Sequence, residues 1–262
     1  MPSPKISVVT ISYNQGQFLE ETIQSVLSQN YDNLEYIIID GGSTDNSVDI
    51  IKKYEDQLHF WCSEKDNGPA SALNKGFAKA TGDIYFYLNS DDVLLPGAFD
   101  KVLKFMTVHP GFDLYYGHAH LLQNGTKTKI FSDLWDLNRY RLILVGIVQQ
   151  TTFFRASIFK KVGGFNESNR FQWDGELLVD FALAKGKFIR YNFCTALFRI
   201  HEASISGGAG DDEGWEKYRR ALGEKINQQI KPMAIPRPLI LLSKFILDPY
   251  VMFNRFLPNK VK

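Results

Sequence analysis

Short apolar runs alternate with amphipathic segments through roughly the first 110 residues of the chain. The runs are apolar at consecutive positions, as in LEYIIID at 34–40, and not only at every second position. Continuous apolar runs of this length are typical of strands buried on both faces of a parallel sheet. Strands are therefore predicted at 5–12, 34–40, 58–63 and 83–89, with helices near 17–29, 46–55, 70–80 and 97–108.

The second half of the chain has a less regular pattern. Two antiparallel strands are predicted around an Asn-Gly turn at 124–125, and QQTTFFRASIFKKVGGF at 149–165 indicates a strand, a helix and a turn. A further helix is predicted at 174–186, closed by Gly186. The predicted fold class is α/β, Rossmann-like, with a mixed but mostly parallel sheet flanked by helices.

Each of the four predicted parallel strands ends in polar residues. The carboxyl ends of such strands meet at one edge of the sheet, where ligands gather. Each polar group taken alone also suits a turn or a helix cap, but the four together favour a common site. The residues are Ser12, Tyr13, Asn14, Asp40, Glu64, Asp66, Asn89, Ser90, Asp91 and Asp92.

Two adjacent carboxylates, Asp91 and Asp92, follow the fourth predicted strand. Neighbouring carboxylates repel each other by about 4 kcal/mol at an effective dielectric constant of 20, so the pair invites a shared proton or a cation. Mg²⁺ or Mn²⁺ binds one or two such carboxylates and fills its other positions with water and phosphate oxygens. The pair therefore predicts a diphosphate site. The alternative is that Asp91 caps the helix beginning near Pro96 while Asp92 is solvated.

Composition narrows the function classes. The 262 residues carry 30 Lys and Arg against 29 Asp and Glu, so no overall field attracts nucleic acid, and we expect no nucleic-acid partner. The two cysteines, Cys62 and Cys194, have no CxxC spacing, which argues against a disulfide framework or a structural zinc site. The N-terminal segment lacks the features of a signal peptide. Cytoplasmic localisation is the expectation.

The C-terminal tail, 236–262, combines aliphatic and aromatic residues with basic ones. Its longest apolar run ends at Lys244 and is far shorter than the ~20 residues that span a bilayer. Such a segment suits a helix lying on an anionic lipid surface, and equally a helix packed on the domain or on a second copy. The predicted organisation is a domain at 1–206, a glycine-rich loop and helix at 207–235, and this tail.

Three stretches resemble, in order and at the usual spacing, the motifs of inverting family-two glycosyltransferases with the GT-A fold. The resemblance runs from about residue 5 to 206, and the stretches are SVVTISYNQGQFLEETIQSVLSQNY (7–31), YIIIDGGSTDNSVDII (36–51) and SEKDNGPASALNKGFAKATGDIYFYLNSDD (63–92). It implies an enzyme that moves a sugar from a nucleoside diphosphate, expected to be UDP, to an acceptor hydroxyl with inversion. It also implies a divalent metal, Mn²⁺ or Mg²⁺, and a polysaccharide or lipid-linked acceptor, which would suit the basic tail.

The resemblance also assigns the nucleotide-binding residues. The first strand end contacts the base, with Tyr13 stacked on it, and an acid beside the base accepts from a uracil N–H. This chain has Gly41 where many members carry a second acid and Leu73 where many carry an arginine, so neither contact is carried over. The implied nucleotide-binding residues are Thr10, Ser12, Tyr13, Asp40, Asp66, Asn74, Lys75 and, for the ribose, Asp91.

The same resemblance implies the metal ligands and the base. Asp92 is the expected metal ligand, although Asn89 replaces the first acid of the commonest family motif. His201, in FRIHEASIS, is the expected second ligand. Asp174, in RFQWDGELLVDFALAKG, matches the catalytic base, with Glu176 as the fallback. Without the resemblance, an acid at this position is more often a helix cap.

Two rival functions use similar residues. A nucleotidyltransferase also places carboxylates and a metal at strand ends, but the first strand is not followed by a glycine-rich triphosphate loop. A non-catalytic protein that binds nucleotide sugars would not need the metal ligand and the base together.

Overall fold

The computed structural model describes residues 3–137, 140, 146–202, 204, 212–229, 244 and 246–256. Nine strands and eight helices are assigned within these ranges. The strands are β1 (Ile6–Ser12), β2 (Leu34–Asp40), β3 (Phe60–Ser63), β4 (Ile84–Asn89), β5 (Val93–Leu94), β6 (Leu114–Gln123), β7 (Thr126–Ile130), β8 (Phe153–Arg155) and β9 (Phe188–Ile200). The helices are α1 (Gly16–Leu27), α2 (Ser47–Lys53), α3 (Pro69–Lys79), α4 (Ala98–Val108), α5 (Ala156–Val162), α6 (Trp173–Leu183), α7 (Asp212–Gln229) and α8 (Pro249–Phe256), with short 3₁₀ turns at Glu55–Gln57 and Gln149–Thr151.

The N-terminal half forms a parallel run in the order β3, β2, β1, β4. Ser12 pairs in register with Asp40, and Ile11 pairs with Asn89. The polar residues that follow these strands therefore meet at one edge of the sheet, as the sequence predicted.

The second half extends the same sheet with mixed strand directions. Beyond β4 the order is β8, β6, β9, β5, and β7 pairs with β6 around the predicted Asn-Gly turn. β8 is antiparallel to β4 and to β6, whereas β9 is parallel to β6. The mixed α/β sheet is confirmed. The sequence pattern did not predict the long strand β9. Its residue Leu197 pairs with Val93 of β5, which places the end of β9 beside the residues that follow β4.

The apolar runs are explained by a core on each face of the sheet. Val8 packs with Leu19 and Ile23 of α1 on one face. Its neighbour Val9 packs with Leu73 of α3 on the other face. Successive side chains of a strand point to opposite faces, so a strand covered on both sides needs apolar residues at consecutive positions.

The C-terminal elements pack on this framework. Leu222 and Ile226 of α7 contact Val179 of α6. The predicted glycine-rich loop at 207–212 lies outside the described residues except for its last residue, which begins α7. The proposed division at residue 206 therefore stays a prediction. Within the described ranges, no helix has the length and apolar character needed to cross a membrane.

Candidate active site

Asp91 and His201 face each other at the carboxyl edge of the sheet. Asp91 follows β4, and His201 follows β9, which the β5 pairing brings alongside. The Nε2 atom of His201 lies 3.1 Å from Oδ2 of Asp91. The ring of Phe18, from α1, packs on the imidazole with centroids 4.7 Å apart. The contact joins two residues that are far apart in the sequence.

Asp92 has a different environment from its neighbour. It is fully buried, its Oδ1 accepts the backbone N–H of Arg199 at 3.0 Å, and its Oδ2 accepts the side-chain amide of Gln150 at 2.9 Å. Burial, followed by the nearby charge of Asp91, raises the pKa of Asp92 well above its usual range. Each carboxylate oxygen of Asp92 therefore already accepts a hydrogen bond from the protein.

The roles assigned from the resemblance do not fit this geometry. Asp92 was expected to bind the metal and Asp91 the ribose, but it is Asp91 that faces His201. The physical reason is that the β4 to β5 turn directs Asp92 into the core, where it needs internal donors.

Asp91 and His201 suit a divalent cation that is also held by substrate. Within the described ranges, no third His, Cys, Asp or Glu joins them to form a closed ligand set. One carboxylate and one imidazole leave several coordination positions open. Magnesium sites in phosphate-transferring proteins commonly fill such positions with water and phosphate oxygens. The donor set therefore fits a cation that binds together with a diphosphate.

Tyr13, Gly41 and Asp66 surround a narrow space beside this edge. Tyr13 is 63% exposed. A Cβ added at Gly41 would lie 3.1 Å from Oδ2 of Asp66 and 3.4 Å from Cδ2 of Tyr13. Oδ1 of Asp66 accepts the N–H of Gly68 at 2.7 Å. The missing side chain at Gly41 therefore keeps a space open between an aromatic ring and a carboxylate.

Two buried polar atoms at the carboxyl ends of adjacent strands have no hydrogen-bond partner within the described part of the chain. They are Oγ of Ser12 and Oδ1 of Asn89, on the adjacent strands β1 and β4. Leaving a buried polar atom without a hydrogen bond costs about 1–3 kcal/mol. Their position at the carboxyl edge fits a ligand that supplies the missing partner.

The side chains of Thr10 and Asp40, two of the expected nucleotide-binding residues, form hydrogen bonds inside the protein. The hydroxyls of Thr10 and Tyr36 are buried and share a hydrogen bond of 3.0 Å. The carboxylate of Asp40 is buried and accepts from the hydroxyls of Ser43 at 2.5 Å and Ser63 at 2.6 Å, and from two backbone N–H groups. Asp40 therefore shapes the loop after β2 and presents no free oxygen to a nucleotide.

Asn74 and Lys75 also contact protein. The side-chain amide of Asn74 donates to the carbonyl of Phe165 at 2.9 Å and accepts its N–H at 2.8 Å, which ties α3 to the turn after α5. Lys75 forms an ion pair with Glu64 at the end of β3. Asn74 is thus not directed to a nucleotide, and Lys75 reaches one only by releasing Glu64.

Asp174 lines a cavity of about 260 Å³. It lies in the first turn of α6, and its Oδ1 accepts the N–H of Gly175 at 2.8 Å. Burial raises its pKa. Tyr87 of β4 and Gln149 form part of the same cavity. A carboxylate with a raised pKa in a cavity has the properties of a proton acceptor.

Glu176 is held by three donors. Its carboxylate accepts from Asn166 at 3.1 Å, Asn169 at 2.7 Å and Lys225 at 2.9 Å. Burial alone would raise its pKa, but the hydrogen bonds from Lys225 and Asn169 lower it. These contacts give Glu176 a structural role between α6 and α7.

The 3₁₀ turn Gln149–Thr151 connects the two parts of the site. The side-chain amide of Gln149 donates to the carbonyl of Tyr87 at 3.2 Å, beside Asp174. Gln150 donates to Asp92, beside Asp91. For 149–165 the sequence predicted a strand, a helix and a turn, and its pattern does not distinguish an anchoring turn from an ordinary loop.

Comparisons with known proteins identify the family of this chain. The model of the family named Glycosyl transferase family 2 matches residues 7–162. A Bacillus subtilis (strain 168) protein named as a teichuronic acid biosynthesis glycosyltransferase, TuaG, is 36% identical over 223 residues, covering 82% of this chain and 88% of that protein.

Solved structures share the fold at low sequence identity. S. aureus TarS 1-349 in complex with UDP-GlcNAc has a TM-score of 0.71 at 18% identity, covering 96% of this chain and 75% of that one. This chain spans 39% of a longer TarS structure. Mannosyltransferase PcManGT from Pyrobaculum calidifontis, in complex with GDP-Man and Mn²⁺, has a TM-score of 0.60 at 15% identity, covering 97% of this chain and 83% of that one.

The raised pKa of Asp174 predicts a pH-dependent gain in stability for Asp174→Asn. Burial disfavours the ionised carboxylate, so the stability that Asp174 contributes is present below about pH 4 and is lost as the pH rises through its raised folded pKa. Asparagine does not ionise. Urea unfolding should therefore show Asp174→Asn to be more stable than wild type at pH 7, with the difference shrinking towards pH 4.

Glu176→Gln is the matched control, with the opposite sign. The pKa of Glu176 is lowered, so its contribution to stability is present at neutral pH and is lost as the pH falls through the folded pKa. Glu176→Gln should be less stable than wild type at pH 7. A stability change in Asp174→Asn that is the same at every pH would contradict the assigned environment.

Proposed function

Because the chain belongs to glycosyl transferase family 2, we propose that it transfers a sugar from UDP to an acceptor hydroxyl with inversion, using Mn²⁺ or Mg²⁺. Family membership makes it a nucleotide-sugar glycosyltransferase and removes the nucleotidyltransferase alternative. The observation that carries the proposal is the pairing of Asp91 with His201 at the sheet edge, combined with Asp174 in the adjoining cavity.

The proposed nucleotide site lies between Tyr13 and Asp66. An aromatic ring that is largely exposed offers a stacking surface for a base, and Oδ2 of Asp66 can accept a hydrogen bond from the N–H of uracil. Ser12 and Asn89 supply the unpartnered polar atoms at the strand ends. The fold shared with TarS, which has been solved with UDP-GlcNAc and with UDP, supports UDP as the donor nucleotide.

Asp91 and His201 are the residues that would hold the cation. When bound there, a divalent cation supplies positive charge to the diphosphate that leaves. The PcManGT structure with Mn²⁺ supports this class of ion. Asp92 then acts as a positioning residue, because it fixes the backbone of Arg199, two residues before His201.

Asp174 is the proposed catalytic base. Inversion in one step needs a carboxylate on the face of the sugar opposite the leaving diphosphate. Asp174 takes the proton of the acceptor hydroxyl as the hydroxyl oxygen forms its bond to the anomeric carbon. The bond from that carbon to the diphosphate oxygen breaks, and the electron pair leaves with UDP.

The first test separates Asp91 from Asp92. Asp91→Asn removes a charged ligand that faces His201, so Mn²⁺-dependent binding of UDP should weaken by about tenfold or more. Asp92→Asn retains an acceptor for Arg199 and should weaken this binding less. Calorimetric titration of UDP with and without Mn²⁺ measures both. Loss of metal dependence in Asp92→Asn alone would return the ligand role to Asp92.

The second test separates Asp174 from Glu176. Asp174→Asn should keep UDP binding while lowering kcat by about 10²–10⁴, the usual contribution of a general base. Glu176→Gln should retain most of the turnover, because its amide still accepts from Asn166 and Asn169. Both are assayed as UDP release with candidate sugar donors. An active Asp174→Asn with an inactive Glu176→Gln would assign the base to Glu176.

We propose that the acceptor is a polysaccharide or lipid-linked precursor, and that the C-terminal segment approaches the cytoplasmic face of a membrane. Asp248 forms an ion pair with Arg190, and Val251 of α8 is fully buried, so the segment packs on the domain. Ile246 is 72% exposed and Phe253 is 68% exposed. Exposed apolar residues in a basic segment suit an anionic lipid surface.

The third test measures this association with lipid. Replacing both Ile246 and Phe253 by Glu should reduce co-sedimentation with phosphatidylglycerol vesicles, since it removes apolar contacts and adds negative charge. Val108→Glu, at an exposed apolar position that is 73% accessible on α4, is the matched control and should sediment like wild type. Equal sedimentation of all three proteins would contradict the lipid contact.

A further inference from the structure

The cavity beside Asp174 is lined by both apolar and polar side chains. It lies between the sheet, α6 and α7. Leu177 and Phe181 of α6 and Ile226 of α7 belong to its wall and are buried. The residues with polar side chains that line it are Tyr87, Gln149, Thr152, Gln172, Asp174, Tyr140 and Arg219. Apolar walls with a few placed polar groups are typical of small-molecule sites.

Arg219 is the cationic residue of this lining. It is exposed, and it forms no hydrogen bond or ion pair with any other residue that the structure describes. Its neighbour Arg220 pairs with Glu216 one turn earlier at 3.5 Å and does not line the cavity. Two adjacent arginines of one helix therefore have different surroundings.

Tyr140 lies close enough to Asp174 and Arg219 for both charges to act on its hydroxyl. A Cβ at Gly175 would lie 2.1 Å from its hydroxyl oxygen, so the hydroxyl packs against the backbone next to Asp174. Burial and the charge of Asp174 raise the pKa of Tyr140, whereas Arg219 lowers it. The tyrosine hydroxyl thus lies in the field of both the carboxylate and the guanidinium.

A guanidinium in the lining of this cavity favours an acceptor that carries negative charge over a neutral one. The carboxylate of Asp174 repels an acceptor that carries negative charge, whereas Arg219, which lines the same cavity, attracts one. Guanidinium groups bind carboxylates and phosphates through paired N–H donors. We propose that Arg219 binds an anionic group, carboxylate or phosphate, on the acceptor sugar that Asp174 deprotonates. This inference rests on the function proposed above and adds the charge class of its acceptor.

The test compares three probes of the same sugar. Methyl glucoside, methyl glucuronide and methyl glucoside 6-phosphate are titrated into the full chain with UDP and Mn²⁺ present, and dissociation constants are measured by NMR. At least one anionic probe should bind at least about tenfold more tightly than the neutral one, as expected for a charge-assisted hydrogen bond. The two anionic probes distinguish a carboxylate from a phosphate.

Three variants assign the preference to one residue. Arg219→Gln should remove it, and Arg219→Lys should keep part of it, since lysine retains the charge without the paired donors. Arg220→Gln is the matched control and should preserve it. Thermal unfolding checks that each variant is folded.

The outcomes that contradict the role of Arg219 differ from those that contradict the proposed function. Equal binding of the three probes, or no binding of any of them, overturns the inference, as does a preference that survives Arg219→Gln. Failure of the wild-type chain to bind UDP contradicts the proposed function instead. UDP binding without a preference for charge contradicts only the role of Arg219.

Discussion

The arrangement of the site depends on one buried carboxylate. Asp92 is excluded from water, so its oxygens need donors from the chain itself. It finds them in the backbone of Arg199, at the end of β9, and in Gln150, while its own carbonyl accepts the hydroxyl of Thr22 from α1. Three segments that are distant in the sequence converge on this residue. They carry His201, the turn beside the cavity, and the helix whose Phe18 packs on the imidazole.

Environment, and not residue type, separates the acidic residues of the site. Asp91 and Asp92 are adjacent in sequence, but one faces His201 and the other is enclosed by donors. Asp174 and Glu176 are two positions apart on one helix. Burial raises the pKa of Asp174, whereas hydrogen bonds from Lys225 and two asparagines hold Glu176 ionised. Carboxylates that are close in the sequence therefore differ in burial, in hydrogen-bond partners and in the direction of their pKa shifts.

The two halves of the sheet have different tasks. The parallel half gathers the ends of β1, β2 and β4 at one edge, where the proposed nucleotide site lies. The mixed half brings back β9, and α6 and α7 form the cavity outside it. The turn Gln149–Thr151 contacts both halves, so the proposed donor and acceptor sites share a structural support.

The sequence by itself determined the fold class, the first four strands, the helices between them and the edge at which polar residues gather. The spacing of apolar residues and the turn residues carry that information within short segments. For example, Val8 and Val9 are both apolar because the sheet is covered on both faces. Family motifs also directed attention to Asp91, Asp92, Asp174 and His201, with Asp92 as the expected metal ligand. Neither the apolar pattern nor the family motifs indicated which contacts these residues make with the rest of the protein.

Only the tertiary structure decided which polar residues are free and which are occupied. Nothing local in the sequence indicates that the carboxylate of Asp40 accepts hydrogen bonds from Ser43 and Ser63. Nor does it indicate that Asn74 connects α3 to a turn more than 90 residues away. The different surroundings of Asp91 and Asp92 have the same origin. Side-chain availability depends on long-range pairing, here of β5 with β9. A change in direction at one turn separates the buried Asp92 from Asp91, which faces His201.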